Sequence, residues 1–458
     1  MASSIYAISQ ISYSPTTIRK LFWSLLLVLG LIGSSYKSYK FFNLYFLYPI
    51  VYTLEKEEAQ SITFPAVSVC NFNRIRVDNG PGGNKNKRPP KGTPLLISER
   101  RHLFQCSKDA QSSKRSSSKR KKDKQRFLTK FYKMDEKTRF KNGHDPSDFV
   151  SNCFFNRKIC PGNFTTHFQN LRYGNCVTFN KRTQEIDPPS VSRIGPGSGL
   201  VLDLYLDTSF YSSTTETLGA RVVIHDPEET PSPEEHGFNV DPGNEVSVSL
   251  RQSVIYRLPA PFRDKCIDYK THQGPSVKNQ KDCVKTCIQT ENFAKCGCTD
   301  KTLDVISNLT QCSLTNQTQM CCLNDVLDEM SSFGPTCDCP LPCRSVSYNE
   351  LLSKAKWPSN AYILKESLSL QGIRKDRVRL NIFYSSLERT VYKQKAKFED
   401  FELLSFLGCE LGLWLGLSVL SVFEILVKIA INFKTYAILK NSLTRKQKLC
   451  ESRCFTSQ

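Results

Sequence analysis

The 458-residue chain predicts an α+β membrane protein: two transmembrane helices around one large disulfide-rich extracellular domain. Three observations carry this. Apolar segments lie near both ends, sixteen of the 19 cysteines fall between them, and the outer flanks of both segments are basic. The length exceeds one ordinary core, and cysteine at this density is foreign to a reducing cytosol.

The first apolar segment, Leu21–Gly33, has thirteen residues with Arg19 and Lys20 before it. A spanning helix needs about 20. Alone, the segment also fits a secretory signal peptide, with Gly33-Ser34-Ser35 as a small-residue cleavage zone. It continues, however, as a Tyr- and Phe-rich stretch to Pro49, where Lys37 and Lys40 reach outward and the aromatics suit a membrane interface. A true span over 21–47 is the preferred reading. The second segment, Leu411–Phe433, is long enough to cross unaided, within a region 404–433 assigned to helix and pore. Lys434, Lys440, Arg445, Lys446, Lys448 and Arg453 follow it against one acid, Glu451. The positive-inside bias puts the tails 1–20 and 434–458 in the cytosol and the loop 48–403 outside the plasma membrane.

That loop holds Cys70 to Cys343, an even set that reads as a disulfide framework. Cys-x-Cys spacings also suit zinc, but an oxidising loop favours disulfides, so no structural metal is expected. The sequons at Asn163, Asn308 and Asn316 suit the same side. The net charge of +20 concentrates in 84–127, which includes KRSSSKRKKDKQR at 114–126. Outside the cell this run does not bespeak nucleic acid. It reads as a solvated, irregular insertion, or more sharply as a protease-accessible loop. An enzyme is not indicated: the histidines form no His-x-x-x-His pair, no Gly-rich phosphate loop with Lys is present, and no cofactor is implied.

Function resides in the second segment. On one ideal helix, Ser418, Ser421, Glu424 and Lys428 share an arc of roughly 120°, with Glu410 on the same arc. A charged group at mid-bilayer costs roughly 2.5–3.5 kcal/mol on insertion scales, so it should face protein or water. Gly408, Gly412 and Gly416 form a ladder on another face. Two readings compete. One is a helix-packing motif with polar glue, which accounts for the glycines. The other is a pore wall, in which hydroxyls, carbonyls and a Glu424 ring favour cations. One such helix cannot enclose a pore, so the second reading requires an oligomer.

The residues Gly412 to Glu424, GLWLGLSVLSVFE, resemble the second transmembrane segment of the degenerin/epithelial sodium channel/acid-sensing ion channel family. Phe64–Arg76 looks like the strand that follows the family's first span, and Arg172–Asn180 like its partner in the palm. The stretches from Gly219 and from Val254 resemble the continuation of the palm into the thumb, and Cys337–Ser359 the return from it. The resemblance implies a homo- or heterotrimer of related subunits. Each subunit would have a β-sheet palm with helical thumb and finger, and sodium ions would be the permeating species. It implies Gly416, Leu417 and Ser418 as selectivity filter, with Ser421 and Glu424 below. Gly412 becomes a blocker position, Ser405 the degenerin gate position, and Tyr48 with Phe262 the aromatic link from first span to thumb. It implies a thumb over 266–343 with the pairs Cys266–Cys343, Cys283–Cys339, Cys287–Cys337 and Cys298–Cys312, and Cys296 with Cys321 or Cys322. It also implies Cys70–Cys176 and Cys153–Cys160. Cys106 and the remaining one of Cys321/Cys322 are then left to each other by parity. Two departures stand out: Tyr6-Ala7 where the family has His-Gly, and Phe406-Leu407-Gly408-Cys409 at the outer mouth. They leave a non-conducting receptor or adhesion ectodomain, or a modulatory subunit, as the alternative to a conducting channel.

Overall fold

A computed structural model describes residues 6–77, 106, 119–183, 187–272, 277–303, 309–333, 337–365 and 374–418, with a discontinuous set between 420 and 435. Contacts divide the chain into two units. One comprises 1–51, 261–263 and 395–458; the other comprises 52–260 and 264–394.

The first unit is helical. α1 (Tyr6–Tyr13) precedes α2 (Thr17–Tyr45). Its 29 residues rise about 43 Å, more than the roughly 30 Å hydrocarbon core requires. Leu21, Phe22, Leu25, Leu29 and Ile32 on it are exposed, a display suited to lipid rather than water. By length and composition this element fits the spanning reading and a signal sequence near the N-terminus alike. Among the described residues α2 is the one helix long and apolar enough to cross a membrane.

The second unit is built on strands and short helices. In chain order these are β1 (Ile50–Glu58, which begins in the first unit), β2 (Ile62–Thr63) and β3 (Ala66–Asn71). Then come α3 (Lys119–Lys133), α4 (Glu136–Asn142), α5 (Pro146–Phe149), β4 (Val150–Phe155), β5 (Lys158–Ile159), β6 (Thr165–Asn170) and β7 (Gly174–Phe179). β8 (Ser190–Val191), β9 (Leu200–Tyr205), β10 (Ala220–His225), β11 (Phe238–Val240) and β12 (Asn244–Tyr256) follow. After them lie α6 (Tyr269–His272), α7 (Gln280–Cys296), α8 (Gln317–Phe333), β13 (Arg344–Lys356), α9 (Asn360–Lys365), β14 (Arg377–Tyr384) and β15 (Glu388–Ala396).

The main sheet runs β1-β15-β12-β14-β9-β4-β5, with β13 also on β12. β12 is its spine. Val246, Val248 and Leu250 alternate with Ser247 and Ser249, and the three apolar residues are fully buried; period two sends them to one face. Each such burial contributes roughly 1.5–3 kcal/mol. The first half of β12 pairs in parallel with β14, its last turn of sequence in parallel with β15, and β13 runs antiparallel along its length. A smaller sheet, β11-β10-β3-β7-β6, has central strands β3 and β7 buried on both faces. The strand that directly follows α2 is therefore β1. The Phe64–Arg76 motif supplies β3, and its partner β7 comes from Arg172–Asn180.

Eight disulfides are present among the described residues. Cys70 and Cys176 lie opposite each other in the β3/β7 register and are bonded. Cys153–Cys160 closes the β4/β5 hairpin. Cys283 and Cys287, one turn apart on α7, bond Cys339 and Cys337. Cys266–Cys343 and Cys298–Cys312 complete the same region. Cys296 bonds Cys322 rather than Cys321, and Cys321 bonds Cys106. Neighbouring residues on a helix point about 100° apart, so the two adjacent cysteines of α8 serve different partners.

The irregular-insertion reading of 84–127 fails at its C-terminal end, where 119–127 lies in α3. Leu128 and Phe131, three apart, are buried, and the guanidiniums of Arg74 and Arg139 stand 5.6 and 5.7 Å from the Phe131 ring centre. Apart from Cys106, residues 84–118 lie outside the described residues.

Candidate functional site

The second apolar segment is not one continuous helix. α10 (Asp400–Leu415) opens on a reciprocal capping box between Glu399 and Glu402, and Asp400 and Glu402 complement its N-terminal dipole. It stops at Gly416, which adopts the left-handed conformation at φ +67°, ψ 24°. Gly416 N–H donates to the Gly412 carbonyl at 3.0 Å and Leu417 N–H to the Leu411 carbonyl at 3.3 Å. Only glycine takes this conformation without a Cβ penalty. Gly416, Leu417 and Ser418 are non-helical, and helical residues resume at Leu420. Ser418 Oγ accepts the Ser421 N–H at 3.2 Å and lies 2.9 Å from Ser421 Oγ. That is N-cap geometry for the second piece.

The single 120° arc is thus corrected: a break separates Glu410 from Ser421 and Glu424, so one ideal helix does not relate them. The sixteen residues of α10 fall short of the roughly 20 a span needs, and the crossing, if made, uses both pieces. The C-terminal carbonyl end of α10 carries partial negative charge toward Gly416-Leu417-Ser418. Glu424 is helical and exposed, and Lys428 lies outside the described residues.

Packing of α10 on α2 uses other glycines than the predicted ladder. A Cβ at Gly33 would lie 2.6 Å from the Trp414 ring, and one at Gly30 would lie 2.7 Å from the Trp414 carbonyl oxygen. Among the described residues a Cβ at Gly408 or Gly416 would meet nothing within 4 Å, and one at Gly412 would meet the Leu417 carbonyl oxygen at 3.6 Å. Trp414 Nε1 donates to Glu410 Oε2 at 2.8 Å, so the Glu410 carboxylate is turned along its own helix.

A collar of aromatic residues surrounds the helix ends within the first unit. Tyr48 is left-handed at φ +48° and its N–H donates to the Tyr45 carbonyl at 3.0 Å; for a bulky residue this is a strained conformation. Its ring meets Phe262 edge-on at 5.8 Å. Phe406 stacks on Phe41 at 3.9 Å, so its ring faces α2. Ser405 Oγ donates to the Phe401 carbonyl at 2.9 Å. Cys409 is exposed and carries a free thiol.

In the second unit, the acids between Asp226 and Glu235 differ in burial and partners. Asp226 is buried, and Glu228 pairs with Arg182 at 2.5 Å and with Lys270. Glu234 accepts from Asn170 Nδ2 at 2.6 Å, and Glu235 pairs with Lys281 at 3.5 Å. Burial raises the Glu229 carboxyl. Sequence reasoning missed Glu350, which burial pushes up to about 7 with Arg221 opposing. His225 was also missed. Its Nδ1 lies 2.9 Å from the Asp226 carbonyl, an acceptor, so Nδ1 carries the proton and Nε2 accepts from Ser68 at 2.9 Å. Burial holds it down at about 4. Asn163 and Asn316 are exposed, the latter capping α8, and Asn308 lies outside the described residues.

A sequence model of the amiloride-sensitive sodium channel family matches residues 1–427. The chain belongs to that family. Among relatives in the amiloride-sensitive sodium channel family, the degenerin-like protein unc-105 of Caenorhabditis elegans is 31% identical over 327 residues, 66% of this chain and 36% of its own length. Acid-sensing ion channel 1 of Gallus gallus is 28% identical over 467 residues, 98% of this chain and 84% of its own. The matches span only 36%, 53% and 43% of the worm proteins unc-105, del-1 and deg-1. A cryo-EM structure of a proton-activated chloride channel aligns at TM-score 0.33 and 8% identity over 89% of this chain and 99% of that one, a likeness that carries no argument.

Proposed function

We propose that the chain is one subunit of a trimeric, voltage-independent, sodium-selective and amiloride-sensitive cation channel of the plasma membrane, opened by an extracellular or mechanical stimulus. Its partners are further copies or related subunits, and both tails are cytosolic. The observation that carries this reading is the break at Gly416-Leu417-Ser418. A helix interrupted at mid-membrane exposes backbone carbonyls, which is tolerated only where they face protein or a water-filled path. The carbonyl end of α10 and the Glu424 carboxylate both favour cations there. Gly412 is the proposed blocker position and lies one turn before the break. Ser405 is the gate position. Tyr48 against Phe262 is the strained link through which the extracellular domain acts on the helices.

Phe406 on Phe41, together with Tyr6-Ala7 in α1, favours a second form of this reading, a modulatory subunit that conducts only beside others. Expression in oocytes, alone and with related subunits, tests both. Sodium current is recorded during acid steps, peptide application and protease treatment, with surface delivery scored by biotinylation. We expect amiloride-sensitive current in at least one arm, basal current raised several-fold by Ser405→Phe, and relaxed selectivity in Ser418→Ala. Surface-delivered protein that passes no such current in any arm refutes the channel reading.

A further inference from the structure

The collar holds a cavity of about 550 Å³ in the first unit. Its lining residues include Tyr45, Tyr48, Phe262, Phe398 and Phe401. Glu399 and Asp400 are lining residues as well. Asp400 accepts the Tyr45 hydroxyl at 2.6 Å, and Glu399 caps α10, so both acids are held in place. Among the described residues no lysine or arginine lines the cavity, although Lys397 Nζ stands 5.5 Å from the Phe398 ring centre on this collar. Several aromatic residues beside two acids, with no lysine or arginine among the described lining residues, are the side chains that recognise a bulky, weakly hydrated cation. Ring quadrupoles attract it, methyl groups fill the apolar space, and the acids supply net charge.

We infer that this cavity binds a quaternary ammonium group. Two sources present that chemistry. Tyr45 is the last residue of α2, so, if α2 spans the membrane, the cavity stands at headgroup level, where phosphatidylcholine offers its choline. A soluble choline-like cation offers the same group from outside. Either occupant would sit against the Tyr48–Phe262 pair and bias its geometry. The inference rests on the spanning reading of α2 and not on conduction.

The test uses full-length protein in nanodiscs of phosphatidylglycerol, which lacks quaternary ammonium. Benzyltrimethylammonium is titrated by calorimetry. Saturable binding at one site per chain is expected, weakened about tenfold by Asp400→Asn and by Phe262→Leu. Phosphatidylcholine nanodiscs separate the sources. Loss of probe binding there supports a lipid headgroup as occupant, and unchanged binding supports a soluble cation. Unfolding midpoints without probe show which variants fold; if Asp400→Asn does not, Phe401→Leu replaces it. Absence of saturable binding in phosphatidylglycerol overturns the proposal. So do folded variants that bind like the wild type. Because the readout is heat and not current, a silent channel leaves the test intact.

Discussion

Trp414 sets how closely α10 approaches α2, and two residues with no side chain make room for it. A Cβ at Gly33 falls 2.6 Å from its ring. Gly33→Val therefore forces the indole out and breaks its hydrogen bond to Glu410, at a cost of about 1–3 kcal/mol. The readout is the unfolding midpoint of detergent-solubilised protein. Gly408→Ala is the control, since a Cβ built at Gly408 meets no described neighbour within 4 Å, and it should leave stability unchanged or raise it by the roughly 0.5–1 kcal/mol of helix propensity. An unchanged midpoint in Gly33→Val would remove Trp414 from its assigned place. These residues also show where sequence reasoning stops. Glycine spacing on the second segment was visible, but which glycines meet a neighbour depends on the other helix. Glu410 was visible as a member of the polar arc, but not that an indole four residues on would engage its carboxylate. Cys321 and Cys322 were interchangeable by count and are told apart only by the direction each points from α8.

At the scale of elements, alternation in β12 was legible because one face is buried and the other is not. The break after α10 was less so. Gly-x-Ser is consistent with an unbroken apolar helix, and the left-handed Gly416 with Ser418 as cap emerges only from backbone geometry. The strands β3 and β10 carry a different device, the buried Ser68–His225 pair, joined by Thr178 at 2.7 Å from Ser68. The His225 imidazole titrates near 4 when folded and near 6.5 when unfolded. The unfolded chain thus binds more protons in that window, so stability is full above about 6.5 and falls as pH drops toward 4. The loss is on the order of 3 kcal/mol. His144, held at about 4 by burial, acts in the same direction. Glu350 acts oppositely: its raised carboxyl makes acidification from about 7 toward 4.5 stabilising. Urea unfolding at stepped pH should show the acid-side loss roughly halved in His225→Gln. An identical slope in the variant would mean that this histidine is not buried as neutral imidazole.

The whole molecule divides its tasks between the two units, and the family resemblance covered both because its motifs sit at turns, cysteines and the broken helix. One chain offers a single α10 and cannot enclose a path for ions. Light scattering of protein in detergent, or of protein with its related subunits, should return three chains, each of 52.1 kDa here; a monomer or dimer would defeat the pore. The disulfide map has a bearing on the basic stretch as well. Cys70 is bonded to Cys176 and Cys106 to Cys321. Two covalent links therefore cross every peptide bond between residues 107 and 118. A protease that cuts there once opens the backbone without releasing a fragment. The two pieces stay covalently joined until a reductant acts, so a single cleavage can serve as a mark on the molecule rather than its dismantling.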